Sequence, residues 1–246
     1  MAAPLSLHFD VDGELLDSAR DCEADVFLRW YGNTRDQLAE EYGPYEDSSA
    51  FLCVADGHGE VLAAARLIAP GGSTGLKTLA DVGRAPWGVD GRRAALAVGA
   101  ELETTWDIAT IGVRRQVPDA ARLSLALYHG VVNVSRANGM SAFVAVLDEH
   151  VRRLLDSIGI QTRTLPGTGA APYLGSPLST PIYVLRSFQF DHQRTHFPDA
   201  YRLVTLGQGL DGIAVPELEH FRYHGFTDED LARWRAAEYA DLPLMV

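Results

Sequence analysis

The run of residues 105–159 constrains the fold of this chain more than any other segment. The apolar strand pattern at 105–113 leads into a helical pattern that begins near Pro118 and ends at Gly139. A second strand pattern at 141–147 is followed by a helical pattern at 149–158. Proline suits a first helical turn, and glycine commonly ends a helix. Strands that alternate with helices in this way predict a parallel pair in an α/β sheet.

The residues before this run predict a helix and a β-hairpin. The segment Ser18–Asp21 has the spacing of a capping box and opens a helix with Val26, Phe27 and Trp30 on one face. Two apolar strands, 51–56 and 60–68, are joined by a turn containing two glycines. A hairpin followed by alternating strands and helices predicts a mixed sheet with antiparallel and parallel parts.

The remaining segments are shorter. We predict a short element at 76–82, a helix at 92–101, a loop at 166–180 and a last strand at 181–188. The region 189–246 is polar and aromatic, and it contains one helix capped by Thr227 with three acidic residues in its first turn. The predicted fold class is therefore α/β, with a mixed central sheet flanked by helices in a domain 1–188 and a C-terminal extension, 189–246, packed on it.

Composition excludes several functional classes. The formal net charge of the 246 residues is −12, which disfavours a nucleic-acid partner because backbone binding needs clustered Lys and Arg. The two cysteines, Cys22 and Cys53, disfavour a disulfide scaffold and favour a cytoplasmic location. We identify no signal peptide and no apolar run of membrane-spanning length, so no membrane partner is predicted.

No metal site is predicted. Two histidine pairs have the i, i+4 spacing of zinc ligands, His192 with His196 and His220 with His224. Neither pair has a matching third ligand or an HExxH motif. The sequence also contains no phosphate-binding loop, no dinucleotide fingerprint and no G-x-S-x-G motif. We expect no tightly bound cofactor.

The order of these elements resembles the GNAT N-acetyltransferase superfamily, and the motifs between residues 20 and 185 resemble its acyl-homoserine-lactone synthase (autoinducer synthase) branch. The motifs that carry the resemblance are a helix aromatic, an acidic step, a hairpin ending in Arg and Pro, a Gly-bearing turn and a strand beginning with Trp and an acid. They stand here as Phe27, Tyr45-Glu46, Arg66 to Pro70, Gly75-Leu76 with Leu79 to Val82, and Trp106 to Thr110.

The chain departs from that branch at several positions. Glu23 stands where the family has a first-helix arginine, Asn33 where it has a tryptophan, and Thr110 where it has a strand arginine. The Gly-rich donor loop of ordinary acetyltransferases is also absent, and Leu155 replaces their thiol-protonating tyrosine. These departures favour acyl transfer to an amine other than that of homoserine-lactone synthesis.

The resemblance implies a donor site along the strand 105–113 and the helix after it. Backbone N–H groups of Ile111, Gly112 and Val113 would polarise the thioester carbonyl, because donors aimed at developing charge stabilise the transition state. Arg114, Arg115 and Arg122 would lie near a phosphopantetheine phosphate at the helix N-terminus. The alternative for these arginines is a solvated basic loop.

The acceptor side is assigned to carboxylates, one arginine and aromatic residues. Asp107 and Glu46 would orient and deprotonate the acceptor amine. Arg66 is either a structural ion-pair partner of Glu46 or Asp107, or a bidentate ligand of an acceptor carboxylate. The other predicted substrate-binding residues are Phe27, Trp30, Trp106, Thr110 and Tyr173. For the aromatic residues of the helix, packing in the apolar core is the alternative.

The sequence thus predicts an enzyme, an N-acyltransferase that moves an acyl group from a phosphopantetheine thioester to the amine of a small acceptor. The preferred donor is an acyl carrier protein and the next is acyl-CoA. Two alternatives stay open: an acyl-homoserine-lactone synthase, and a non-catalytic module that binds an acyl carrier or CoA. A monomer or a dimer is expected.

Overall fold

The computed structural model describes residues 4–230 and 232. Its strands build one twisted mixed sheet with the order β6-β8-β5-β4-β3-β2-β1-β9, and β7 pairs with β8. The strands are β1 (Leu5–Phe9), β2 (Ser49–Ala55), β3 (Val61–Ile68), β4 (Thr105–Val113), β5 (Ala142–Asp148), β6 (Arg163–Thr164), β7 (Ala171–Tyr173), β8 (Ser176–Leu185) and β9 (Ile213–Ala214). The predicted mixed α/β sheet flanked by helices is confirmed.

Helices cover both faces of the sheet. The α-helices are α1 (Gly13–Tyr31), α2 (Arg35–Tyr42), α3 (Lys77–Asp81), α4 (Gly91–Ala97), α5 (Ala120–Ala137), α6 (Glu149–Ser157), α7 (Arg186–His196) and α8 (Pro198–Ala200). Short 3-10 helices span Gly43–Ser48 and Leu218–Phe221, and a π-helical turn spans Tyr201–Thr205. Helix α5 packs on one face in the largest apolar core, whereas α1, α3 and α4 pack on the other.

The hairpin and the run 105–159 form as predicted, but the first helix does not start where the sequence indicated. It begins at Gly13, five residues before Ser18, and the preceding strand β1 was not predicted. The Ser18 hydroxyl does not cap the helix; it accepts a hydrogen bond from the Val61 backbone N–H at 3.0 Å. Its polar side chain therefore links helix α1 to the start of β3.

The segment predicted as the loop 166–180 contains β7 and the first half of β8. Its Pro, Ser and Thr residues disfavour a strand locally, but Ser179 and Thr180 pair with the end of β5. Pairing with a neighbouring strand outweighs the local composition. The last strand also ends at Leu185 rather than at 188, because α7 begins at Arg186.

Strands β4 and β5 separate after a short parallel contact. Their pairing covers only Thr105–Asp107 against Ala142–Val144. Beyond it β4 continues to Val113 along β3, and β5 continues to Asp148 along β8. The two strands therefore diverge and leave a wedge-shaped opening in the middle of the sheet.

The region after residue 188 joins the same sheet and the same core. Helix α7 spans position 188, where we placed the domain boundary, and β9 pairs in parallel with β1. Tyr223 and Phe226 contact the buried Trp106 ring edge-on, with centroids 5.7 and 5.6 Å away. Thr227 forms the expected cap with Asp230; the rest of that predicted helix lies outside the described residues.

Within 4–230 and 232, no helix combines the length and the hydropathy that a membrane crossing requires.

We expect Phe226→Ala to lower the free energy of unfolding by about 1–2 kcal/mol, because it removes a half-buried ring and an aromatic pair from the Trp106 core. The measurement is urea unfolding followed by tryptophan fluorescence and circular dichroism. Phe188→Ala, which truncates an exposed phenylalanine on α7, is the matched control and should change stability by less than about 0.5 kcal/mol. An unchanged midpoint for Phe226→Ala would show that the last described segment does not stabilise the core.

Candidate active site

The donor side of the predicted site is the loop between β4 and α5. Gln116 and Asp119 have positive φ angles of 69° and 63°, and Asp119 precedes α5 without a side-chain cap. The N-terminus of this 18-residue helix therefore presents backbone N–H groups and the positive end of its dipole at the end of β4. Such a terminus suits an anionic group.

Three predicted arginines around this loop differ in their contacts. Arg115 is exposed, whereas Arg114 forms an ion pair with Asp25 at 2.9 Å. Arg122 donates to the Asp211 carbonyl at 2.6 Å and pairs with Asp119 at 3.1 Å. Of these three arginines, Arg115 is the exposed one. Unlike Arg114 and Arg122, it has no ion pair or backbone contact among the described residues.

A cleft of about 490 Å³ lies between this loop and the end of α1. Trp30, whose side chain is 64% exposed, lines it together with Arg29 and Arg115. Helix α1 lies very close to β4 here: a Cβ added at Gly112 would be 2.5 Å from a Val26 methyl carbon. Glycine at position 112 is therefore required for the helix to pack on the strand.

The opening between β4 and β5 leads into a narrow apolar cavity of about 80 Å³. Side chains from both diverging strands, from α5 and from α6 line it, together with Gln189 and Gln193 of α7. The apolar residues that line the cavity include Ile108, Ile111, Tyr128, Val131, Phe143 and Leu147. A lining of this polarity suits an apolar group such as part of a hydrocarbon chain.

On the opposite face of the sheet, Arg66 is the centre of a buried ion-pair network. Its Nε and Nη2 atoms donate to the two carboxylate oxygens of Glu23 at 3.0 and 2.8 Å, and Nη1 donates to Glu46 at 2.7 Å. The Thr110 hydroxyl donates to Glu23 at 2.6 Å. Arg66 therefore forms the predicted ion pair with Glu46. Asp107, the other predicted partner of Arg66, accepts hydrogen bonds from Thr78 instead.

A second buried network surrounds Lys77. Its ammonium group donates to Asp81 at 2.5 Å, to Glu41 at 2.9 Å and to the Tyr173 hydroxyl at 3.3 Å. Tyr173 in turn donates to Asp81 at 2.5 Å. Strand β7 is thereby tied to α3, and Tyr173 lies beside the acidic residues Asp81 and Glu41.

Asp107 is buried beneath α3. One carboxylate oxygen accepts from the Thr78 backbone N–H at 2.5 Å, and the other accepts from the Thr78 hydroxyl at 2.9 Å. Burial raises the pKa of Asp107 to about 7, against the opposing effects of the Thr78 hydrogen bonds and the Lys77 charge. The group therefore titrates near neutral pH, but both of its oxygens already accept hydrogen bonds.

Glu46 has the opposite electrostatic environment. Partial burial favours a higher pKa, but the hydrogen bonds and charges of Arg66 and Arg20 outweigh it and hold the pKa of Glu46 below its ordinary value. Each of its carboxylate oxygens accepts from one of these arginines. A carboxylate stabilised in this way is a weak proton acceptor.

Tyr42 connects the two networks. The Arg66 guanidinium lies 4.8 Å from the centroid of its ring and the Lys77 ammonium 5.3 Å from it, and both contacts have cation–π geometry. Its hydroxyl donates to the Ala109 carbonyl at 3.4 Å. Ala109 is the extra residue of a bulge, since the β3–β4 register passes from Thr110 to Ile108 between neighbouring residues of β3.

The structure brings together only part of the predicted set. Thr110, Arg66 and Glu46 lie in one network and Asp107 lies beside the second. Trp106 is fully buried in the α5-side core, because successive side chains of a strand point to opposite faces. Phe27 is half-buried against Tyr31, with ring centroids 5.3 Å apart, and Trp30 lies in the donor-side cleft.

Several residues of the two networks were not singled out from the sequence. They are Glu41, Tyr42, Lys77 and Thr78; Asp81 was noted only within the Leu79 to Val82 motif, and Glu23 only as a departure from the family pattern. Besides that motif, the available signal was the i, i+4 spacing of Lys77 and Asp81 in a short helix. That spacing ordinarily indicates a solvent-exposed pair, and only the packing of α3 against β4 buries it.

The pKa of Asp107 predicts a specific pH dependence of stability. Because its folded-state pKa lies above the unfolded value of about 4, the folded protein loses about 1.4 kcal/mol per pH unit from this group between pH 4 and pH 7, and nothing further above pH 7. Asp107→Asn removes this term. We therefore expect the stability of the variant relative to wild type to rise from pH 5 to pH 7 and then stay constant.

Urea unfolding at pH 5, 6, 7 and 8 measures this difference. Asp17→Asn, at an exposed position on α1, is the matched control and should give a difference that does not depend on pH. A pH-independent difference for Asp107→Asn would contradict the assigned pKa.

Comparison with known proteins places the fold but not a family. No family model matches the chain. No curated protein matches it either. Among solved structures, the chain is similar to FeeM, an N-acyl amino acid synthase from uncultured soil microbes, with a TM-score of 0.57, 10% identity and coverage of 77% of this chain and 94% of FeeM.

The chain is also similar to BjaI, a CoA-dependent acyl-homoserine lactone synthase, with a TM-score of 0.57, 15% identity and coverage of 95% of this chain and 99% of BjaI. These identities are low, so the similarity concerns the fold. The chain therefore shares its fold with FeeM and BjaI, a fold that the resemblance to the autoinducer synthases led us to expect.

Proposed function

We propose that this protein is an N-acyltransferase that transfers an acyl group from a phosphopantetheine thioester to an amine. The observation that carries the proposal is the separation of β4 and β5 after Asp107 and Val144. It exposes a strand edge between an apolar cavity and the uncapped N-terminus of α5. A phosphopantetheine thioester has three parts that correspond to these three features. Its acyl chain is apolar like the cavity, its arm carries amides that can pair with the strand edge, and its phosphate suits the helix N-terminus.

The donor would bind along the open edge of β4. Backbone groups of a strand edge hydrogen-bond an extended arm with amides, as in strand addition. The N–H groups of Ile111 and Val113 are proposed to polarise the thioester carbonyl from the open edge, whereas the register directs the N–H group of Gly112 towards β3. The acyl chain would enter the apolar cavity, and the phosphate would lie at the N-terminus of α5 beside Arg115.

The acceptor amine would approach from the face that holds the two networks. Its nitrogen attacks the thioester carbon, the C–N bond forms as the C–S bond breaks, and the proton lost from nitrogen passes to solvent or to the departing thiolate. We assign Asp107 and Glu46 to positioning rather than to proton transfer, because hydrogen bonds already occupy their carboxylate oxygens. Asp107 holds α3, and Glu46 holds Arg66.

The comparisons support acyl transfer as the reaction class. FeeM is an N-acyl amino acid synthase, and BjaI is a CoA-dependent acyl-homoserine lactone synthase that has also been solved with isopentyl-CoA. We retain an acyl carrier protein or acyl-CoA as the donor; S-adenosylmethionine as acceptor is an alternative outcome of the assay.

Filling the apolar cavity should shorten the acyl chains that the protein accepts. We expect Val131→Phe to lower kcat/KM for a dodecanoyl thioester by at least about 10-fold, and for a butyryl thioester by less than about 3-fold, since pocket contacts of one or two methylene groups have effects of this size. The rate is measured as release of free thiol from the donor. The acceptor in the assay is any amine that the wild-type protein acylates.

Val215→Phe, the same change at an exposed site, is the control and should leave both rates unchanged. Equal losses for both chain lengths in Val131→Phe would contradict the assignment of the cavity to the acyl chain.

Reversing the charge at the donor end should weaken donor binding. We expect Arg115→Glu to raise KM for the donor by about 5- to 10-fold at low salt, with a smaller effect at high salt, because screening reduces interactions between exposed charges. Acyl-CoA and acyl carrier protein are assayed separately; the donor with the larger increase is the one whose anionic groups bind at this end.

Arg92→Glu is the matched control. Arg92 is exposed on α4 and lies in a groove with Leu102 and Glu103, near the other end of β4. It should not change KM. An unchanged KM for Arg115→Glu with both donors would remove Arg115 from the donor site.

A further inference from the structure

We propose that the acceptor is an amine without a carboxylate group. The reason is that the side chain of Glu23, a residue of the chain itself, already binds Arg66 where an acceptor carboxylate would otherwise bind. The inference rests on the proposed function and narrows its substrate class. It follows from the contacts of the buried cations on the acceptor face.

The edge of Arg66 that suits a carboxylate is already filled. Nε and Nη2 form the parallel pair of donors that binds a carboxylate in a bidentate manner, and both donate to Glu23. Nη1 donates to Glu46. The rings of Tyr42 and Phe51 pack against the guanidinium, with centroids 4.8 and 4.6 Å from its central carbon. These contacts use three of the five guanidinium N–H donors, and the Arg66 side chain is 4% exposed, so an anionic ligand would have to displace one of these carboxylates to form an ion pair with it.

The other buried cation is equally engaged. Arg66 and Lys77 are the two Lys or Arg side chains that are buried between residues 4 and 230. The three donors of the Lys77 ammonium match its three acceptors, Glu41, Asp81 and Tyr173. At the rim, Arg20 donates to Glu46 at 2.8 Å. Each cation near the two networks is therefore paired with an acid of the chain itself.

Acidic groups outnumber these cations. Glu23, Asp81 and Asp107 are buried, Glu41 is half-buried, and Glu46 is exposed at the rim beside them. A further carboxylate brought to this face would face like charges in a medium of low dielectric constant, which is unfavourable. An ammonium group or a neutral amine carries no such penalty. The charge distribution thus favours amines and disfavours amino acids.

Matched pairs of acceptors test this inference. Tyramine with L-tyrosine, and cadaverine with L-lysine, differ only by the carboxylate. We expect kcat/KM for the amine of each pair to exceed that for the amino acid by at least about 10-fold with dodecanoyl-CoA or the dodecanoyl carrier protein, which corresponds to about 1.4 kcal/mol of discrimination. Product is identified by mass spectrometry.

Two outcomes would overturn the inference, and they differ in what else they affect. Equal or faster acylation of the amino acids would overturn the acceptor class while leaving the acyltransferase intact. No acylation of any member of either pair, with both donors, would overturn the proposed function together with the inference.

A variant tests the role of Glu23 directly. Glu23→Gln keeps the shape of the side chain but removes the charge that fills the Arg66 edge, so the ratio of amine to amino-acid kcat/KM should fall by at least about 5-fold. Glu14→Gln, at an exposed position on α1, is the control and should leave the ratio unchanged. A folded Glu23→Gln protein with the wild-type ratio would overturn the role of Glu23; should the variant not fold, the wild-type acceptor pairs still decide the acceptor class.

Discussion

The arrangement of the whole molecule depends on the short parallel contact between β4 and β5. Three residue pairs hold the two halves of the sheet together, and beyond them each strand follows a different neighbour. A longer pairing would close the sheet and remove both the apolar cavity and the free strand edge. A shorter one would leave the β5–β8 half attached mainly through helices. The contact therefore fixes where a ligand can pass through the sheet.

The two faces of the sheet at this opening differ in chemistry. On the α5 side the wedge is apolar, whereas on the α1 side two buried cations are surrounded by acids around the Tyr42 ring. Buried ion pairs contribute little net stability, but they fix the relative positions of the elements that carry them. Here they hold α1, the Gly43–Ser48 turn, α3 and β7 against the central strands. The proposed reaction would take place between these two environments.

Periodicity predicted the elements whose packing agrees with their local pattern, namely the hairpin, β4, α5, β5 and α6. It did not predict β1, β7 or the start of β8, because their short or Pro- and Ser-containing segments form strands only through their neighbours. At the site, the resemblance located Arg66, Glu46 and Asp107, but not their partners. Partners such as Lys77 and Thr78 are set by the docking of α3 on β4, which no local pattern encodes.

The packing of Tyr223 and Phe226 on Trp106 has a consequence for the order in which the core can form. Trp106 precedes Phe226 by roughly 120 residues, and β9 pairs with β1 across almost the whole described chain. Contacts of such large sequence separation form late, since long loops must close first. During synthesis Trp106 therefore lacks its contacts with Tyr223 and Phe226 until nearly all of the described chain has been made.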